Sequence, residues 1–232
     1  MGGKKGKRGK EFGSNLLLTL ILTTFLFTLA VVIVLNSRWL YYMDITLLGL
    51  EKETGMSRAD IRANYDALIR YNQFWYQGEL KFPTLIMSET GQIHFQEVKR
   101  IFVVIQYACI VSGVLSLIGV VRHAKRRSWS YQKMTGILAL GLPIVLGVLV
   151  AMNWETFFVT FHHIFFKNNY WLFDSSTDPV ILILPDTYFL HCAVLILVLI
   201  LGESAICLVR HHHHKRAQVY VGGKRLGSYR RR

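Results

Sequence analysis

The sequence predicts an all-α membrane protein: four transmembrane helices, an extracytoplasmic amphipathic helix, and interfacial or re-entrant segments. Three observations predict it. Apolar residues make up 52% of the 232 and are gathered into four long runs. Charged residues make up 18%, below the roughly 25% of a soluble domain. The basic residues cluster on alternate sides of those runs, as bilayer insertion requires.

A spanning helix needs about 20 apolar residues, and it must be helical to satisfy its own backbone. The first uncharged run is Phe12 to Ser37, 26 residues, predicting a span at about 13–36. It begins after basic residues, like a signal peptide. Its apolar stretch is longer than the roughly 7–15 residues of a signal-peptide core, and no small-x-small site follows it, so a retained helix is expected. The 21-residue run at 101–121 and the run after Lys133 predict spans at 101–121 and 134–153. The fourth, Thr187 to Val209, contains one acid, Glu203, and predicts a span at 187–209.

Five basic residues precede the first span, five lie from Arg122 to Lys133, and eight lie from Arg210 onward: 18 of 27. Residues 36–100 and 152–186 hold 12 of the 14 acids. The tails 1–12 and 210–232 and the short middle connection are therefore expected in the cytoplasm, with segments 37–100 and 154–186 outside. The net charge of +13 is then a positive-inside signal with contact to membrane lipid, and nucleic-acid binding is not expected. Cys109, Cys192 and Cys207 lie in apolar runs without CxxC spacing, so neither a disulfide framework nor a zinc site is expected. His211–His214 reads as part of a disordered basic tail.

In the first outer segment Ser57 is an N-cap and Asp60 its capping partner. Ile61, Tyr65, Leu68, Ile69 and Tyr71 then recur at helical spacing. Gly78, Pro83 and Gly91 break residues 73–92 into a loop or short hairpin. His94 sits about two turns before Ile101, where the second span begins. In the second outer segment, a helix from Met134 to Phe166 would be 33 residues, roughly 50 Å, against a hydrocarbon core of ~30 Å. A break, tilt or fold-back is expected near Asn153–Glu155. The stretch Pro179–Pro185 is too short to span. His94 and His162 or His163 thus lie on one side at similar depth, and a titratable group at that depth is a functional-site candidate. His191, one turn into the fourth helix, reads as a packing residue.

These residues carry a resemblance. The stretch FHHIFFKNNYWLFDSSTDPVILILPDTYF, Phe161 to Phe189, resembles the signature of the lipoprotein intramolecular transacylase (Lit) family. The stretch IHFQEVKRIF, Ile93 to Phe102, resembles a second signature of that family, and TGMSRADIRANYDALIRY, Thr54 to Tyr71, its outer helix. The pattern selects His162 rather than His163. Glu97 and Asp186 depart from it by one methylene each, Asp and Glu being expected there. The resemblance implies a bacterial cell-membrane acyltransferase with its site facing outward. Its substrate would be a diacylglyceryl lipoprotein. Its reaction would be transfer of the glyceryl sn-2 acyl chain to the α-amine of the N-terminal cysteine.

Aminolysis of an ester needs a neutral amine, a donor for the oxyanion and a proton for the departing oxygen. Imidazoles at His94 and His162 suit the acid and base roles, and spacing leaves open which does which. Glu97, at i+3 from His94, is a candidate to fix its tautomer. Lys99 and Asn169 are candidate oxyanion donors, Trp171 a substrate contact or belt residue, and Asp178 an orienting group for His162 or a turn cap. No cofactor and no metal is expected. The rivals are a non-enzymatic membrane partner or assembly protein, and a haem or metal carrier using the two histidines as axial ligands.

Overall fold

The structure is a computed structural model that describes the backbone of residues 2–229 and the side chains of residue 9 and residues 11–216. The basic side chains Lys4, Lys5, Lys7, Arg8 and Lys10, and those from Lys224 onward, lie outside the described residues. The described chain forms α1 (Gly2–Asn36), α2 (Arg38–Leu47), α3 (Leu50–Thr54), α4 (Arg58–Tyr71), α5 (Glu89–Lys125), α6 (Ser130–Met152), α7 (Trp154–Phe165), α8 (Val180–Ile183) and α9 (Asp186–Tyr229). No strand occurs among the described residues. Residues 73–88 are loop and turn, not a hairpin, and the expectation for 89–92 is corrected: these residues open α5, with Gly91 inside the helix. Among the described residues four helices are long and apolar enough to cross a membrane: Glu11–Asn36, Glu89–Lys125, Ser130–Met152 and Asp186–Arg216.

The chain divides into two compact units. One comprises residues 1–27, 110–144 and 198–232. Its helices approach closely through small residues and share polar contacts, as helices in lipid do. The Thr19 hydroxyl donates to the Tyr131 carbonyl at 3.4 Å, and the Ser204 hydroxyl to that of Gly136 at 2.6 Å. At Gly136 an added Cβ would meet the Leu208 side chain, so only glycine allows this approach. The disordered-tail expectation for His211–His214 is corrected: the run is helical, His211 Nδ1 donates to the Trp129 carbonyl at 3.1 Å, and His214 stacks on the Trp129 ring at 3.7 Å. A flat aromatic partner and a carbonyl acceptor satisfy these imidazoles and carry the helix on.

The other unit comprises residues 28–109 and 145–197. Its core lies where α2, α3, α4 and α8 meet, on Ile45, Ile61, Val180 and Ile183. Tyr41 and Tyr65 stack at 3.7 Å with Tyr188 edge-on to both. The Tyr65 and Tyr188 hydroxyls lie 2.8 Å apart, and the Tyr41 hydroxyl donates to the Ile183 carbonyl at 2.7 Å. Burial pushes the Tyr41 hydroxyl pKa up, with the nearby Tyr65 and Asp44 adding to it. Ser57 caps α4, accepting from the Asp60 amide at 3.1 Å and donating to its carboxylate at 2.7 Å. Asn153 ends α6 in extended backbone and caps α7, its side chain accepting from the Thr156 amide at 2.8 Å. That break gives α7 its own direction.

Candidate active site

His94 stands on α5, one and a half turns after the helix begins, and is 5% exposed. Its ring packs against Phe166 at 4.7 Å, Phe173 at 5.4 Å and Phe95 at 5.8 Å. His162, on α7, is half-buried and lies against Phe158 at 4.2 Å and Trp171 at 4.6 Å. The two imidazole centroids are 6.3 Å apart and their planes differ by 30°. An atom midway between them would lie about 3 Å from each ring, half of the 6.3 Å and within reach of reacting groups. Two titratable rings 68 residues apart in sequence are thus brought face to face.

The hydrogen bonds assign one tautomer. His162 Nδ1 lies 2.7 Å from the Phe158 carbonyl oxygen. A carbonyl only accepts, so Nδ1 carries the proton and Nε2 keeps its lone pair. Burial holds the His162 pKa below its ordinary 6.5; the Phe158 carbonyl opposes that shift, and the charge of His163 adds to it. The neutral, proton-accepting form is therefore the one present at neutral pH.

Two buried polar atoms here have no hydrogen-bond partner: His94 Nδ1 and Trp171 Nε1. Trp171 packs on the His162 ring at 4.6 Å and His94 faces it at 6.3 Å. Buried polar groups are nearly always satisfied, so two orphans around one imidazole mark a place where a polar ligand group completes the set.

The other expected residues distribute unevenly. Trp171 joins the pair. Glu97 does not orient His94. Its carboxylate accepts from Asn168 Nδ2 at 2.9 and 3.2 Å, because the i+3 position turns it toward the chain after α7 while the His94 ring faces the aromatics. Asn169 is exposed, and its carbonyl caps a turn by accepting from the Leu172 amide at 3.1 Å. The asparagine that matters is its neighbour Asn168. Lys99 is also not brought to the pair: its amine donates to the Tyr76 carbonyl at 2.8 Å and sits 4.3 Å over the Tyr71 ring. At 100° per residue Lys99 is about 140° around α5 from His94. Asp178 does not orient His162. Buried, it caps the start of the His94 helix, accepting from the Ser88 amide at 2.8 Å and from the Thr177 hydroxyl at 2.8 Å. An added Cβ at Gly91 would collide with the Asp178 carboxylate, so the α5 entry is tight. His163 is exposed, edge-on to Trp171 at 5.5 Å.

Sequence reading missed two residues. Asn168 was masked by the adjacent Asn169. Asp44, 1% exposed, lies with both carboxylate oxygens 2.9 Å from His191 Nδ1, so His191 is a hydrogen-bond partner of a buried carboxylate rather than a packing residue. A lone acid within an otherwise apolar amphipathic segment was the available signal.

A family model described as lipoprotein intramolecular transacylase Lit matches residues 16–189. The chain belongs to the lipoprotein intramolecular transacylase family. It is accordingly an acyltransferase and a multi-pass integral membrane protein, which removes the non-enzymatic reading. The chain is similar to the membrane-integral Lit of Bacillus cereus, with 35% identity and a TM-score of 0.89 over 91% of this chain and 99% of that one. It is also similar to structures of that enzyme in which one histidine is replaced by arginine or by alanine. Both show 34% identity and a TM-score of 0.84, over 94% and 93% of this chain and 97% and 98% of those. No curated protein sequence matches the chain.

Asn168 ties the loop that carries Phe166 and Trp171 to the His94 helix through Glu97. Asn168→Ala is expected to lower the turnover of this transacylase about tenfold, the loss of a hydrogen bond to a charged group. The thermal midpoint should change little, because Asn168 lies outside the tyrosine core. Parallel rate and melting measurements check it; equal losses in both would make Asn168 merely structural.

Proposed function

We propose that this chain moves the sn-2 acyl group of a diacylglyceryl lipoprotein onto the α-amine of its N-terminal cysteine, using His94 and His162. The observation that carries the reading is the pair of imidazoles at 6.3 Å with two buried nitrogens beside them that have no partner, His94 Nδ1 and Trp171 Nε1. The α-amine has an ordinary pKa near 7.7–8.0, so its neutral form, the one with a free lone pair, is present at neutral pH and attacks; the nitrogen becomes cationic as it bonds and must shed one proton. His162 Nε2 takes that proton as the amine nitrogen bonds to the ester carbonyl carbon. The oxyanion that forms accepts from His94 Nδ1–H and Trp171 Nε1–H. The carbon–oxygen bond to glycerol then breaks, and the imidazolium of His162 returns the proton to the departing oxygen. Amide and free hydroxyl result, with no net proton released. Amine and ester belong to one molecule, so holding them between the rings supplies a large effective concentration.

The basic residues at both termini and in the middle connection support cytoplasmic ends. His94 and His162 then lie at the outer face of the bacterial cell membrane, where lipoprotein headgroups are.

The test is mass spectrometry of a reporter lipoprotein's N-terminal peptide, in a host that makes only the diacylglyceryl form. Expression of this chain should move one acyl mass from glycerol to the amine. An unchanged diacylglyceryl peptide beside a well-inserted protein would overturn the reading.

Its pH dependence follows from His162. Catalysis needs the neutral imidazole, and burial lowers the pKa of that ring. The rate should therefore fall about tenfold per pH unit below the α-amine's ordinary 7.7–8.0, as that amine protonates, and more steeply again below 6.5, through the lowered pKa of His162. A rate profile from about pH 5 to pH 8 checks it; a slope of one proton throughout, with no second limb below 6.5, would remove His162 as the base.

A further inference from the structure

On the face of α5 turned away from His94, a pocket of about 250 Å³ is lined by Tyr71, Gln96, Lys99, Arg100 and Val103. Gln96, Lys99, Arg100 and Val103 recur at i, i+3, i+4 and i+7, so one helical stripe supplies the wall. Gln96 lies 200° around the helix from His94, which separates this pocket from the histidine gap. Its charge is uncompensated. Lys99 offers its amine between the Tyr71 ring at 4.3 Å and the Tyr76 ring at 5.1 Å. Arg100 is exposed and close enough to Tyr71 for its charge to act on that hydroxyl. Among the described residues the ion pairs involve other groups, and neither Lys99 nor Arg100 has a carboxylate within 4.0 Å. The nearest acid along the helix, Glu97, is taken by Asn168.

Directly beyond the two cations the chain becomes apolar, from Ile101 onward. Val103 floors the pocket, and Tyr107, one turn further on the same face, is exposed and packs on Phe74 at 5.4 Å, with Trp75 beside it at 4.9 Å. Cations and hydrogen-bond donors stand above an exposed apolar and aromatic strip, at the mouth of a spanning helix. This matches a molecule with an anionic head and an apolar tail.

We propose that this pocket seats the phosphate of a membrane phospholipid. Lys99, Arg100 and Gln96 donate to the phosphate oxygens, and the acyl chains pass Val103 and the Phe74–Trp75–Tyr107 cluster. A phosphodiester in the headgroup layer accepts several charge-assisted bonds and supplies the anion that both cations lack. The site is independent of the acyl-transfer chemistry, and its occupancy is read without any turnover.

The test is native mass spectrometry of the full chain in nonionic micelles, titrated with dioleoyl phosphatidylglycerol. The unmodified chain should retain one phospholipid, and Arg100→Gln should weaken that retention roughly fivefold, the effect of one cation at a headgroup layer. Arg100→Lys, which keeps the charge, should stay within about twofold. Arg100 is exposed, so neither change disturbs the core. Dioleoylglycerol has the same chains without phosphate and should bind the parent and Arg100→Gln equally. Inorganic phosphate at the lipid's concentration should not displace the lipid. Three results would overturn the proposal: equal phosphatidylglycerol retention by the parent and Arg100→Gln; loss of dioleoylglycerol binding in Arg100→Gln; or displacement by equimolar inorganic phosphate, which would make the pocket a free-anion site.

Discussion

His162→Ala lowers the rate of acyl transfer by about 10³-fold, within the range for removing a positioned general base, while the protein still inserts and melts normally. The expectation follows from three features of one ring. Its Nδ1 proton is committed to the Phe158 carbonyl at 2.7 Å, so its Nε2 is the free base. It is half-buried, which favours the neutral form. It stands 6.3 Å from His94 across the gap that would hold the ester. His94 is expected to differ in kind. As an oxyanion donor its loss in His94→Ala costs about 10²–10³-fold. His94→Asn places an amide nitrogen near the position of Nδ1 and should recover a large part of that loss. The measurement is the initial rate of acyl migration on a purified diacylglyceryl lipopeptide. If Asn at this position is as inactive as Ala, His94 moves a proton rather than donating a hydrogen bond. If His162→Ala retains more than about a tenth of the rate, the base is elsewhere.

Asp44→Ala should destabilise the protein by about 2–4 kcal/mol. Asp44 is 1% exposed and meets His191 Nδ1 with both oxygens at 2.9 Å. Removing the carboxylate leaves that nitrogen without its acceptor and opens a void beside Tyr41, whose hydroxyl anchors α8 through the Ile183 carbonyl. The value reaches below the about 3–5 kcal/mol for breaking a buried pair because His191 is 31% exposed and water can partly replace its partner. Asp44→Asn, whose carboxamide oxygen still accepts from Nδ1, should lose less than half as much. Thermal unfolding in detergent of both variants, and of Asp44→Ala combined with His191→Ala, checks the pair. A double variant whose loss equals the sum of the two single losses would show that the groups are not coupled.

How far the sequence reached depended on the range of the interaction involved. The four spans needed only local composition, because a backbone in hydrocarbon must close its hydrogen bonds within its own helix. The Ser57 cap and the break at Asn153 were legible for the same reason: each is settled within three or four residues, by Ser57 with Asp60 and by Asn153 with Thr156. The family motif singled out His94 and His162 because their neighbours along the chain carry the pattern.

Partner choice was not legible. Glu97 could have turned to His94 or to another residue at equal sequence cost; it turned to Asn168, 71 positions away, because the loop after α7 packs on α5. Asp178 became the cap of α5, 90 residues upstream at Ser88. Lys99 faces the Tyr71–Tyr76 pair rather than the histidines, a matter of helical phase once the helix is docked. Asp44 met His191 across 147 residues. The sequence by itself determined which segments are apolar helices and which residue types are available to a site. Only the tertiary structure decided which polar atoms meet and which stay unpaired, because a buried group takes the partner that packing brings within 3 Å, and that distance is a property of the assembled helices.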